Sequence, residues 1–117
     1  MAKVNTKISY DSEEDILDLS KGIPSQASIE IGDFIIDIDF NGFVSSIEIL
    51  NASENLGLST ETLRNIEKAH MSIIYKPNYL FIGIVFNIKG IEKDIRIPLT
   101  IDLGHKQVEK QEISFLR

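Results

Sequence analysis

The chain contains no cysteine, and its apolar runs all fall well short of the roughly 18 residues that span a membrane. Without cysteine it has no disulfide framework, thiolate zinc site, iron–sulfur cluster or cysteine nucleophile. No secretory signal peptide is recognisable at its start. These absences predict a cytoplasmic protein that makes no membrane contact.

Basic residues are scarce in the first half of the chain. Residues 1–57 contain three lysines and eleven acidic residues, a net charge of −8, and the remainder carries nine basic and seven acidic residues. The overall charge of −6 argues against nucleic-acid binding, which depends on clustered lysine and arginine. This uneven distribution of charge between the two halves can steer one subunit onto another or onto a basic partner. An acidic solvated surface is the simpler interpretation.

The length and composition predict one domain over residues 1–117. A chain of this size buries about 65% of its unfolded surface, enough for one hydrophobic core. Its 43% hydrophobic and 26% charged residues are ordinary for a soluble globular protein and exclude intrinsic disorder.

Two hairpins can be read from alternating apolar residues. Asn41-Gly42, the strongest short-range hairpin signal, predicts a type I′ turn in a hairpin over residues 34–50. One face of that hairpin is expected to hold Phe34, Ile36, Ile38, Phe40, Phe43, Ser45, Ile47 and Ile49. A second hairpin is expected over residues 79–97, with Lys89-Gly90 as its turn.

The first strand of this second hairpin, Tyr79–Ile88, is apolar on both faces. Phe81 and Val85 lie opposite Ile82, Ile84 and Phe86, and only one face can point into the core. The other face therefore needs a cover, and a two-fold homodimer is the simplest one. We expect Phe81 and Val85 to form this interface. The alternative is a monomer in which the two halves close into one sandwich or barrel and cover each other.

One amphipathic helix is predicted over residues 60–71, with Ser59 as its cap and Leu63, Ile66 and His70 on its apolar stripe. The expected fold is therefore α+β, with mostly antiparallel sheet. Weak similarities also suggest half-repeats over residues 7–53 and 72–115 joined by the helix, and chance resemblance among isoleucine-rich strands explains them equally well.

A family resemblance rests on Tyr10-Asp11, Asp15-Ile16-Leu17, Ile36-Asp37-Ile38-Asp39, Asn41-Gly42 and the run from Ile47 to Ser53. Together they resemble the small prokaryotic family called domain of unknown function 2283, over roughly residues 7–53. The resemblance implies a compact β-rich fold and supplies no catalytic residues.

The segment from Asp37 to Glu48 also satisfies the residue pattern of an EF-hand calcium loop, with candidate ligands Asp37, Asp39, Asn41 and Glu48. An EF-hand needs flanking helices, whereas these flanks alternate as strands do. In the hairpin, Asp39 and Glu48 would lie roughly 13 Å apart, too far to share one ion. The hairpin is therefore the preferred interpretation, and no metal site is expected.

Catalytic constellations are missing as well. Nothing in the sequence places His70 and His105 together, and there is neither a nucleophile elbow nor a glycine-rich phosphate loop. We therefore predict no enzyme and no cofactor, but a non-catalytic interaction module that self-associates. The alternatives are an acidic partner of a basic protein, as antitoxins are, and a divalent-ion-binding protein using the loop from Asp37 to Glu48.

Overall fold

The computed structural model describes residues 6–117. These residues form nine strands and two short helices in the order β1 (Lys7–Asp11), β2 (Ile16–Ser20), β3 (Ala27–Ile31), β4 (Phe34–Ile38), β5 (Val44–Ile49), α1 (Ala52–Leu56), α2 (Thr60–Leu63), β6 (Lys68–Lys76), β7 (Tyr79–Ile88), β8 (Ile91–Leu99) and β9 (Glu109–Leu116). No helix in this part of the chain has the length and apolarity to cross a membrane.

The strands form two sheets in which every recorded pairing is antiparallel. The first sheet has the order β1-β2-β5-β4-β3, and the second has the order β8-β7-β6-β9. Inward-facing side chains of both sheets belong to one hydrophobic core, which includes Leu17, Ile47, Met71, Ile84 and Phe115. The prediction of mostly antiparallel sheet is confirmed, and the half-repeats stay a prediction.

The first hairpin has the predicted register away from its turn. Ile36 lies opposite Ile47, and Phe34 lies opposite Ile49, but a bulge follows Asp37. The expectation that Phe40 joins Phe43 on the apolar face is wrong. Asp39 takes the position opposite Phe43, because its N–H donates to the Phe43 carbonyl at 2.8 Å, and Phe40 is 71% exposed.

The predicted type I′ turn at Asn41-Gly42 is also wrong. Of these two residues only Gly42 has a positive φ, at 82°, and its N–H donates to the Asp39 carbonyl. This is the pattern of a type I turn followed by a glycine bulge. The Asp39 carboxylate selects it by accepting hydrogen bonds from the Asn41 and Phe43 amides, at 2.8 and 3.0 Å.

The second hairpin follows its predicted register throughout, with Ile88 opposite Ile91 and Ile82 opposite Ile97. Lys89 and Gly90 both have positive φ, at 46° and 84°. The type I′ geometry therefore occurs at this turn.

The predicted helix over residues 60–71 is wrong beyond its first turn. Ser59 caps it as expected, by accepting a hydrogen bond from the Thr62 amide, but α2 ends at Leu63. The next residues form β6, where Ala69, Met71, Ile73 and Tyr75 are buried and alternate with more exposed residues. Pairing with both β7 and β9 overrides the helical spacing. His70 consequently lies on the outer face of a sheet.

Gly42→Ala should lower the free energy of unfolding more than Gly90→Ala. Both positions have φ above 80°, so each alanine costs about 1 kcal/mol in the left-handed region. A Cβ at Gly42 would also lie 2.7 Å from the Leu103 carbonyl oxygen, whereas nothing lies within 4 Å at Gly90. Overpacking should add about 1 kcal/mol or more at Gly42, measurable by urea unfolding. Equal losses would contradict this packing.

Candidate functional site

A group of polar side chains lies between the two sheets, beside the turn of the first hairpin. We call it the inter-sheet polar cluster: Asp39, Tyr75, His105, Glu109 and Gln111. Tyr75 is fully buried, and its hydroxyl accepts a hydrogen bond from the Val44 amide at 2.8 Å. The same hydroxyl donates to Gln111 Oε1 at 2.5 Å. Tyr75, on the second sheet, therefore bonds the backbone of the first.

His105 makes the other polar link between the sheets. Its Nδ1 lies 2.6 Å from Glu109 Oε2, and its Nε2 lies 2.7 Å from the Gly42 carbonyl oxygen. The Gly42 carbonyl can only accept, so Nε2 donates to it, and Nδ1 faces the Glu109 carboxyl group. The ring also packs against Phe43 and Tyr75.

The inter-sheet polar cluster is arranged for structure rather than for proton transfer. Burial raises the pKa of Tyr75 far above its ordinary value, and the nearby charges of Asp39 and Glu109 act in the same direction. The hydrogen bond from Val44 only partly opposes them. Tyr75 therefore stays protonated and serves as a fixed hydrogen-bonding group, not as a general acid or base.

The four candidate calcium ligands do not converge. Asp37 lies on the outer face of the first sheet and accepts hydrogen bonds from the hydroxyls of Ser28 and Ser46. Asp39 is buried in the hairpin loop, whereas Asn41 is exposed and Glu48 lies opposite Asp18. Within residues 6–117, no group of three or more acidic or histidine side chains could hold a metal ion.

Three of the residues that carry the family resemblance, Tyr10, Asp15 and Ser53, meet at the start of α1. Asp15 Oδ1 accepts the Tyr10 hydroxyl proton at 2.5 Å, and Asp15 Oδ2 accepts that of Ser53 at 2.6 Å. Both carboxylate oxygens also accept from the Ser53 amide. Asp15 thus caps α1 from a distant turn, and these motif residues have a structural role.

This network shifts the pKa of the Asp15 carboxyl group and that of the Tyr10 hydroxyl. Burial is the largest single effect on Asp15 and opposes ionisation, but hydrogen bonds from Ser53 and Tyr10 together outweigh it and lower the pKa of the carboxyl. Burial and the hydrogen bond to Asp15 raise the pKa of Tyr10 to about 12. The ionised carboxylate is therefore the form that the folded state prefers.

Phe81 and Val85 lie on the outer face of the second sheet, because Leu80, Ile82, Ile84 and Phe86 point into the core. Val85 is 38% exposed, and Phe81 is partly buried. The sequence had placed both on one face of β7, and the structure shows that this face is the one turned away from the core.

The outer face of the first sheet is acidic. Asp18 lies directly opposite Glu48 in the β2–β5 pairing, and like charges at such positions are unfavourable. Burial raises the pKa of Asp18, and the charges of Glu48 and Asp37 raise it further against the effect of Lys7. This face carries much of the negative charge of the first half of the chain.

The fold is that of a two-sheet antiparallel protein with short helices. The segment that forms its first sheet can also be compared with a known family. Residues 7–53 match the model of a protein family of unknown function, DUF2283, and this confirms the resemblance over that segment.

The chain is also similar to an uncharacterised protein of Methanocaldococcus jannaschii, with 39% identity over 67 residues. The alignment covers 56% of this chain and 58% of the relative, so the chain matches a little over half the length of that protein. No solved structure matches the chain.

Sequence reasoning missed the inter-sheet polar cluster. The four-residue spacing between His105 and Glu109 was the only local signal. Tyr75 bonds Val44 and His105 bonds Gly42, and both of these partners belong to the first hairpin. They lie far from Tyr75 and His105 in the sequence, so no spacing along the chain reveals these contacts.

Asp15→Asn should destabilise the protein at neutral pH by about 1 kcal/mol, because hydrogen bonds to an ionised group are the stronger ones. The pKa of folded Asp15 is lowered, so its contribution is present above the unfolded value of about 3.9 and disappears as the pH falls through the folded pKa. Urea unfolding of Asp15→Asn should therefore show a shallower loss of stability in acid. Glu14→Gln, which alters an exposed carboxylate, is the control. An unchanged acid profile in Asp15→Asn would contradict this role.

His105→Gln should cost about 2 kcal/mol of unfolding free energy, because it removes both hydrogen bonds of a buried ring and leaves the Gly42 carbonyl short of a donor. His70→Gln is the matched control. His70 also faces a glutamate, at 3.1 Å from Glu112, but that pair is 45% and 70% exposed. His70→Gln should therefore lower the stability much less than His105→Gln does, because exposed ion pairs contribute little. A double-mutant cycle with Glu109→Gln measures the coupling, and similar losses at the two histidines would argue against the link.

Proposed function

We propose that the chain is a non-catalytic interaction module that self-associates through the outer face of its second sheet. The observation that carries this proposal is the position of Phe81 and Val85, two apolar side chains on the centre of a sheet face turned away from the core. Within residues 6–117, no group of three or more acidic or histidine side chains could hold a metal ion, and this is compatible with it.

The apolar positions of this face are contiguous. Cross-strand pairing places Ile74 on one side of Phe81 and Pro98 on the other. Gly83 follows along β7, where the ring of Phe81 lies over it, and Val85 comes next. Ile74, Phe81 and Pro98 thus form an apolar row across three strands, and Gly83 and Val85 extend this row along β7.

Charged residues surround the row and include both signs. Asp94 and Arg96 form an exposed pair on β8, and His70 and Glu112 form another on the β6–β9 side. A face of mixed sign can meet a second copy of itself without accumulating like charge, whereas the acidic face of the first sheet cannot. This favours the second sheet as the surface for self-association.

The size of the face is adequate for a dimer. Four strands of about nine residues cover roughly 19 by 30 Å, or about 570 Å² before side-chain relief is counted. A standard interface buries about 800 Å² per partner, and relief and rim contacts would supply the difference. We propose a homodimer in the cytoplasm, with no cofactor and no nucleic acid.

A second candidate function is suggested by the outer face of the first sheet. The opposed carboxylates of Asp18 and Glu48 would be relieved by a cationic group, so this face suits a basic protein partner. The double variant Asp18→Asn with Glu48→Gln should weaken capture of such a partner. Retention of the partner by that variant would place it elsewhere.

Val85→Glu and Phe81→Glu should dissociate the dimer, because each buries a carboxylate in an apolar contact. Sedimentation across a concentration range should show a species of twice the 13.2 kDa chain mass for the natural chain. Both variants should instead give the single-chain mass with an unchanged far-ultraviolet spectrum. Phe40→Glu, which changes an exposed apolar residue in the turn of the first hairpin, should stay dimeric.

A natural chain that sediments at 13.2 kDa at every concentration rejects the self-association proposal. Variants that unfold would show that their side chains support the core. In that case, a dimer that persists in the milder variants Val85→Ser and Phe81→Ser counts against this face.

A further inference from the structure

Ser114, His70 and Glu112 come together on the outer face of the second sheet. Residues two apart on a strand share a face, so Ser114 and Glu112 of β9 lie side by side there. In the β6–β9 pairing Ser114 is directly opposite His70, and Glu112 is opposite Ser72, the next residue of β6 on this face. The imidazole of His70 is therefore placed between a hydroxyl and a carboxylate.

Both ring nitrogens of His70 are engaged. Nε2 lies 3.1 Å from Glu112 Oε1, and Nδ1 lies 3.1 Å from Ser114 Oγ. Hydrogen bonds from His70 and Ser72 lower the pKa of Glu112, so this carboxylate is an ionised acceptor at neutral pH and Nε2 is the donor. In the neutral ring Nδ1 is then an acceptor, and the Ser114 hydroxyl donates to it.

This arrangement contains the parts that activate a serine nucleophile. These parts are a hydroxyl, a base within hydrogen-bond reach and a third group that orients the base. They are recognised by geometry and not by order along the chain, and His70 and Ser114 are 44 residues apart. Ser114 is also exposed, so a reagent can reach its hydroxyl.

His70 and Ser114 line a cleft of about 320 Å³ on this face. Lys68 and Asn87 line it too, and they lie opposite one another in the β6–β7 pairing. Their ammonium and amide groups are donors, which suit the negative charge that develops on a carbonyl oxygen during attack by a nucleophile. Val85 adds an apolar wall. The cleft therefore suits a short acyl group.

We propose that Ser114 is a modification site that takes a short acyl group from an activated ester or thioester, with His70 as general base and Glu112 as the residue that positions His70. Ser114 Oγ bonds to the acyl carbon while its proton passes to His70 Nδ1. The bond from that carbon to the leaving oxygen or sulfur then breaks, and the leaving group departs with the proton from His70. The product is an ester on Ser114. The chain itself is the acceptor, so this is a modification and not a catalytic turnover.

The cleft adjoins the surface proposed for self-association, because Val85 belongs to both. A second copy seated on Val85 would cover the cleft, so the dimer should react more slowly than the single chain. The chemistry of Ser114 needs no second copy, however. It can be measured in Phe81→Glu, whose changed residue does not line the cleft. Self-association and modification are thus tested separately.

The test treats the natural chain and Phe81→Glu with para-nitrophenyl acetate and locates acetyl groups by peptide mass spectrometry. Acetylation of Ser114 should exceed that of Ser28, an exposed strand residue that donates directly to the Asp37 carboxylate. His70→Gln should slow acetylation of Ser114 by about a hundredfold or more, because a positioned general base contributes that much. His105→Gln, which removes the other histidine of the chain, is the control and should leave the rate unchanged.

Glu112→Gln should slow the reaction less than His70→Gln does, because the imidazole still accepts the proton but is no longer held in one tautomer. Urea midpoints should change little in both variants, since both side chains are largely exposed. This separates an effect on reactivity from an effect on folding. Acetylation of Ser114 in Phe81→Glu that is no faster than that of Ser28, or that His70→Gln does not slow, would overturn the assignment.

Discussion

The structure depends on the two sheets packing face to face around a core that is apolar except at one end. There Tyr75 and His105 carry hydrogen bonds from the second sheet to the backbone of the first, at Val44 and Gly42. Hydrophobic burial holds the sheets together without fixing their relative position, because it is not directional. The buried hydrogen bonds are directional and therefore fix the relative position of the sheets. Each would leave an unsatisfied polar group if one sheet shifted against the other.

This constraint also determines what is left for binding. The core occupies the inner faces of both sheets. Binding partners can therefore reach only the outer faces or the gaps between the sheets. The outer face of the first sheet is acidic, and that of the second is apolar with mixed charge. Two chemically different surfaces therefore cover one core.

Much of the sheet structure could be predicted from the sequence, because alternation sets which face each residue occupies. The register of the β7–β8 hairpin and the outward position of Phe81 and Val85 follow from it directly. The turn at Gly42 was predicted wrongly, since the Asp39 carboxylate accepts from the Asn41 and Phe43 amides and selects a different turn geometry. The predicted helix over residues 60–71 is wrong because the helical spacing of Leu63, Ile66, His70 and Ile73 is a coincidence. His70 and Ile73 instead pair with residues of β7 and β9. The hydrogen bond from His105 could not be predicted either, because its acceptor, the Gly42 carbonyl, comes from the first hairpin.

The central claim is that a second copy of the chain covers the outer face of the second sheet. The most direct measurement is an isotope-filtered NOE experiment on a dimer mixed from labelled and unlabelled chains. The account predicts intermolecular contacts from the Val85 methyl groups to the Phe81 and Ile74 side chains of the other copy. A mixed sample whose only intermolecular contacts fall on other surfaces, or that shows none, would contradict it.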